Sequence, residues 1–403
     1  MTTAHQAPDA PDAPGLVPLH CLRHAEPGPP RQAALPTGTP VWLVTRHPDV
    51  RQVLTDPRLN RSALYAPGAP PVTLVPNLLD DPDTLLNLDG EEHQRLRRTV
   101  QRAFTPRAIA RWRPWVASVV DGLLDGLAAE GSPADVIAAF SRPLPVAVIS
   151  RLMGLEGLDL ERLGHWSDHA LSATAYTAEE IGRAMQEFGE FGHRLVVERR
   201  KNPGEDLVSS LVEAADKTGG VDERQLTSLV CGLVVAGHET TMTTLGNALV
   251  YLLGADDGTA WARIAEGEEQ AAAAAEQLLR AVPLGDNTTL PGQLRRAVED
   301  VEIGGVLIPA GSVVAADTRS ANHDPEVYPE HLELFEPLPT PSLTFGAGPH
   351  HCLGAWLARM ELELGLHRLA ARFPGLRLVE PVEAIAWRQG LLTRSPLRLA
   401  VAW

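Results

Sequence analysis

The stretch FGAGPHHCLG, Phe345 to Gly354, places one of only three cysteines in the chain behind glycines, a proline and two histidines. The segment GAWLARMELELGLHRLAARF that follows, Gly354 to Phe373, has helical apolar spacing, so Cys352 stands at a helix N-terminus, where the dipole favours a thiolate. Gly346, Gly348 and Gly354 permit left-handed turns and a close approach of backbone to a flat ligand. Zinc is a rival ligand for His350, His351 and Cys352. Three consecutive residues do not readily converge on one tetrahedral ion, however, and no C-x-x-C or H-x-x-x-H partner accompanies them. Taken alone, the loop is equally compatible with a cysteine buried in a tight turn.

The remaining sequence narrows the choice. At 403 residues with 44% hydrophobic content, the chain is long and apolar enough for a large core. A formal charge of −16 argues against nucleic-acid binding through a general positive field. Residues 1–15 lack the charge and apolar pattern of a signal peptide and are expected to form a disordered lead-in, with 16–403 as a single domain. Cys21, Cys231 and Cys352 are odd in number and far apart, as expected of reduced thiols in a cytoplasmic protein. The apolar window Leu229 to Gly237 runs into His238 and Glu239, short of the ~20 residues that cross a bilayer, so no membrane association is expected.

Val221 to Leu253 contains no proline and is apolar nearly all round its middle, which predicts one long helix through the core. Further helices are predicted over Glu91–Leu127, Ala178–Arg200, Glu266–Ala281 and Gly354–Phe373. Strand-like alternation is confined to PVWLVT near residue 41, to residues 301–317 and to LRLAVAW at the C-terminus. The fold class is therefore mainly α with small β-sheet regions.

The pattern F-x-x-G-x-x-x-C-x-G, here Phe345, Gly348, Cys352 and Gly354, resembles the haem-binding loop of the cytochrome P450 family. AGHETT, Ala236 to Thr241 in the long helix, resembles that family's oxygen-activation motif, and EQLLR resembles its E-x-x-R element, with Glu276 and Arg280 as the acid and the arginine. The three occur in the family's order, and the similarity extends from RHPDVRQVLTDPRL near residue 46 to the C-terminal strands. The resemblance implies the cytochrome P450 fold, a long central helix over haem b, and Cys352 as the axial thiolate and sole metal ligand. It implies that His93, Arg97, Arg295 and His350 meet the haem propionates, with Arg296 a rival of Arg295, and that Phe345, Gly346, Gly354 and Ala236 line the haem. Glu239 would relay protons and Thr240 would hydrogen-bond the oxygen being activated. Glu276 and Arg280 would support the cysteine loop from behind.

By the same resemblance, Val235, Asp286, Asn287, Thr288 and Leu392 would line a substrate pocket, the polar trio favouring a peptide-derived or polyketide natural product over a bare terpene. Two departures stand out: no Lys or Arg lies between Arg319 and Arg359, where the family supplies a third partner for the E-x-x-R element, and His323 replaces a common arginine. Electrons would come from a ferredoxin and its reductase, with an acidic ferredoxin meeting the basic run Arg95, Arg97, Arg98, Arg102, Arg107, Arg111 and Arg113. The resemblance implies a monooxygenase using O2 on a small organic substrate. Oxidative C–C or C–N coupling on the same scaffold, and a non-catalytic haem-binding protein, are the alternatives.

Overall fold

The computed structural model describes residues 26–75, 80–155, 159–254, 258–285, 292–329 and 332–403; the expected lead-in and Asp286, Asn287 and Thr288 lie outside them. Strands β1 (Arg31–Ala34) and β2 (Pro40–Val44) precede helix α1 (His47–Thr55) and the short β3 (Leu59–Asn60). Helices α2 (Gly90–Val100), α3 (Pro106–Ala110) and α4 (Arg113–Glu130) are followed by β4 (Ala134–Asp135), α5 (Pro143–Met153), α6 (Leu160–Ala170), α7 (Ala178–Lys201) and α8 (Leu207–Thr218). The long helix α9 (Glu223–Leu253) leads to α10 (Thr259–Ala265) and α11 (Glu268–Ala281). Strands β5 (Gln293–Ala297), β6 (Val301–Ile303), β7 (Val306–Ile308) and β8 (Val313–Ala316) come next, then α12 (Thr318–Ala321), α13 (Ala355–Arg372), β9 (Arg377–Leu378) and β10 (Ala400–Ala402).

Helix α9 starts where its sequence directs. Asp222 Oδ1 accepts the Gln225 backbone N–H at 2.7 Å while the Gln225 side chain accepts from the Asp222 N–H at 3.4 Å, a reciprocal cap. The helix buries residues on every side, and α5, α6, α7, α8, α10 and α13 all pack against it. The principal apolar core surrounds it.

The expected helix over residues 91–127 is instead three helices and a 3-10 turn, Gln101–Phe104. Pro106 and Pro114 cause the breaks, because proline is tolerated only in a helix's first turn, and Thr105 Oγ1 caps the new start by accepting the Ala108 N–H. Within LRLAVAW only Ala400–Ala402 pairs as a strand, with β4 and β9 as partners. The five-stranded sheet runs β1-β2-β8-β5-β3, with β8 parallel to β2 and antiparallel to β5. That order inserts β5, which carries Arg295, next to β8 and β3 and orients its alternate residues inward.

Candidate haem site

The cysteine loop is held by its own backbone. The Cys352 N–H donates to Phe345 O at 2.8 Å, and the Gly346 N–H to Leu343 O at 2.9 Å. Gly348 sits at φ +67°, and a Cβ there would stand 2.8 Å from Leu54 O, so the loop rests directly on the end of α1. Helix α13 begins at Ala355 with Gly354 as its N-terminal flanking residue. Cys352 has an accessible face while protein crowds its other sides. That burial pushes the free thiol up, opposed by the Gly354 N–H, by Arg97 and Arg359, and by the Ala355 N–H. An iron ion at the accessible face would bind the thiolate these donors favour.

Positive groups converge beside the loop. His93, buried on α2, lies 4.3 Å from the His350 ring, whose Nε2 is 3.1 Å from Asp89 Oδ1. Arg97, one turn further along α2, donates from Nη2 to His351 O at 2.6 Å. Arg295 is 1% exposed and Arg296 turns outward to Gly311 O and Ala63 O, so Arg295 is the inward arginine of the adjacent pair. Burial draws the His93 imidazole down to about 4 and the Arg295 guanidinium down to about 9. His93 Nε2 and Arg295 Nη2 are buried with no hydrogen-bond partner. Arg61, unsuspected from sequence, is buried with them and donates to Asn87 Oδ1 at 2.8 and 3.0 Å. Buried Arg295 Nη2 and His93 Nε2 thus each lack a partner, the nearby carboxylates being Asp89 and, for Arg61, Asp80. The two propionates of a haem would supply those partners.

On α9, which runs unbroken, Val234 and Val235 are buried, yet Ala236 between them and His238 is exposed. Thr240 Oγ1 donates to Ala236 O at 2.8 Å. Glu239 is 3% exposed; its Oε1 accepts from Arg388 Nη1 at 2.7 Å and from Thr393 Oγ1 at 3.1 Å. Arg388 also binds Asp168 of α6, which ties the buried acid to the helix above it. Burial pushes His238 down, with Glu239 opposing. Leu392 is half-buried and donates its N–H to Leu171 O at 2.9 Å. A lone arginine near the C-terminus carries no motif, so nothing in the sequence marks Arg388.

The Glu276/Arg280 reading is corrected by the structure. Glu276 stands four residues before Arg280; the residue three before it is Gln277. Arg280 Nε donates to Gln277 Oε1 at 3.0 Å and its Nη1 to Asn322 O at 2.7 Å, all within the core, and Gln277 Nε2 donates to Glu336 O at 2.8 Å. Asn322 in turn donates to Thr344 Oγ1 at 2.8 Å and accepts the Leu343 N–H at 2.7 Å. Support for the cysteine loop thus runs through a neutral amide, and the missing third arginine is matched by a missing carboxylate. Glu276 pairs with Arg359 of α13.

A cysteine loop at the head of one helix, an acid and a hydroxyl on the core helix, and buried basic side chains without partners match the needs of a haem-thiolate oxygenase. Residues 278–396 match the profile of the family described as Cytochrome P450, and the chain belongs to that family. It is 42% identical to nocardicin C N-oxygenase of Nocardia uniformis subsp. tsuyamanensis over 97% of this chain and 95% of that protein. It is 41% identical to mycinamicin IV hydroxylase/epoxidase of Micromonospora griseorubida over 91% of each. Among solved structures, that of HinD with NMFT and NO superposes with a TM-score of 0.86 at 37% identity, covering 96% of this chain and 94% of the other. The protein is a cytochrome P450 monooxygenase whose cofactor is haem b. No described helix is long and apolar enough to cross a membrane.

Proposed function

We propose that the protein inserts one oxygen atom into a C–H bond, a double bond or a nitrogen of a peptide-derived or polyketide natural product, using electrons from an acidic ferredoxin. The observation that carries the chemistry is an exposed Ala236 on the core helix α9 with the Thr240 hydroxyl bonded to its carbonyl and the buried, Arg388-held Glu239 next in line, in a chain whose Cys352 keeps an accessible face. When bound, haem b supplies oxygen activation, with thiolate donation favouring O–O cleavage. The chain's own residues do the rest. Cys352 would hold the metal, and His93, Arg97, Arg295 and His350 would hold the propionates, joined by Arg61. Arg97 braces the loop through His351 O. The Thr240 hydroxyl, which donates to Ala236 O, would have to turn from that carbonyl to donate to the oxygen being activated, and Glu239 moves protons while Arg388 and Thr393 keep its carboxylate oriented. A haem carrier has no use for a buried acid and hydroxyl at that place.

Substrate class rests on the relatives, whose names specify nocardicin C and mycinamicin IV as what those proteins oxidise. The ferredoxin reading rests on surface charge. Arg98, Arg102, Arg107 and Arg111 are exposed around α2 and α3, whereas Arg113 is engaged by Glu363 and Glu268. The test has two stages. First, the reduced CO-bound spectrum of the wild type should show the red-shifted thiolate band and Cys352→Ala should lose it; a wild type lacking the band with full haem overturns the assignment. Second, with ferredoxin, reductase, NADPH and a natural-product panel, a product heavier by one oxygen supports oxygen insertion. A coupled product without added oxygen replaces it with the coupling reaction, and haem reduction without any product overturns enzymatic turnover on this substrate class.

A further inference from the structure

Arg359 lies in α13, seven residues beyond Cys352, and its guanidinium is held by Glu276 and the Phe345 ring, with the Trp356 ring 5.6 Å from its Cζ. On one side it donates from Nε and Nη2 to the two oxygens of Glu276 on α11, the second bond at 3.3 Å. On the other, its Cζ stands 4.5 Å above the Phe345 ring, and Phe345 O accepts the Cys352 N–H at 2.8 Å. The cation is therefore fixed against the residue that closes the cysteine loop, and its charge reaches the sulfur. Both partners are partly shielded from water, the Arg359 side chain at 26% and Glu276 at 37% exposure, so screening between them and the loop is incomplete. Arg280, on the same helix as Glu276, is occupied with Gln277 and Asn322, which leaves Arg359 as the cation that answers Glu276.

We propose that Arg359 and Glu276 are positioning residues that set the reduction potential of the iron held at Cys352. Arg359 supplies a positive field at the thiolate and stabilises the more negative, reduced centre. Glu276 clamps that guanidinium over Phe345 and cancels part of its charge. The potential is thus fixed by the difference between two opposed charges on neighbouring helices, a balance that neither residue reveals alone. The inference rests on Cys352 being the axial ligand, which the CO-bound spectrum of each variant checks separately.

The test is a spectroelectrochemical titration of the haem-loaded wild type, Arg359→Gln, Arg359→Lys, Glu276→Gln and the double variant Arg359→Gln/Glu276→Gln. At fixed applied potential, Arg359→Gln should lower the ferrous-to-ferric ratio about three- to tenfold, and Glu276→Gln should raise it; tenfold corresponds to ~59 mV for one electron. Arg359→Lys keeps the charge and should remain near the wild type, and the double variant should return toward it. A merely structural clamp predicts that both single losses disturb the loop alike, so shifts of one sign, or none, overturn the proposal. If Arg359→Gln fails to retain haem, Glu276→Gln decides: a raised ratio supports the charge balance and an unchanged or lowered one overturns it. A wild type without the thiolate band overturns the ligand assignment and this inference with it, whereas a normal band with shifts of one sign overturns this inference alone.

Discussion

Glu239 shows how a single side chain depends on partners far away in sequence. Its carboxylate is buried, and Arg388 and Thr393 satisfy one oxygen. Arg388→Ala should therefore leave an uncompensated buried charge and cost about 3 to 5 kcal/mol, read as a lower urea midpoint at unchanged slope. Arg388→Lys should recover part of the loss but not the second bond to Asp168. His93 provides a pH signature. Its imidazole is held neutral in the haem-free fold, down to about 4 against 6.5 when free, chiefly by burial. The folded state thus binds fewer protons than the unfolded one. The His93 contribution to haem-free stability is complete above about 6.5 and is lost as pH falls toward 4. Haem propionates held beside His93, as proposed, would favour its charged form, so the loaded protein should lose less melting temperature over the same interval.

Among the elements, the cysteine loop and α9 are set by local chemistry with long-range consequences. Gly348→Ala would place a Cβ 2.8 Å from Leu54 O at a positive φ. We expect at least ~1 to 2 kcal/mol of destabilisation from the left-handed backbone alone, and faster haem transfer to an acceptor globin. Gly375→Ala, where nothing lies within 4 Å and φ is not positive, serves as the control and should leave both unchanged. The Gly-rich loop and the uninterrupted run of α9 were legible in sequence, because their determinants are neighbours along the chain. The breaks at Pro106 and Pro114 were missed, because apolar spacing continues straight across them. Gln277 illustrates a different limit: Glu276 and Gln277 are adjacent polar residues on one helix, and only the direction each faces decides which one meets Arg280.

Across the whole molecule, the segment between α6 and α7 is fastened to the C-terminal loop. Gly390 O accepts the N–H groups of Ala173, Thr174 and Ala175, and the Asp168–Arg388–Glu239 chain lies beneath. Gly390 has φ +71°, with a Cβ position 2.8 Å from Ala175 N. Gly390→Ala should loosen this fastening, raising amide exchange over residues 171–177 and speeding the appearance of substrate-induced spectral change on mixing. The exposed arginines predict a second global property. Ferredoxin-dependent reduction should slow as ionic strength rises, and Arg102→Glu with Arg107→Glu should flatten that dependence while leaving the CO-bound spectrum unchanged.

The sequence by itself determined the helical class, the long core helix, the cysteine loop and the family, since each depends on short-range spacing or on motifs within a few residues. Tertiary structure alone decided which polar residues come together around the candidate site. Arg61, Arg359 and Arg388 lie in unremarkable stretches and find their partners because separate elements carry them to carboxylates, carbonyls and rings. Arg295 prevails over Arg296 because strand alternation points one inward and one out. A buried charge is stable only where the fold delivers its counter-charge, and that delivery is a property of packing between distant segments rather than of any local pattern.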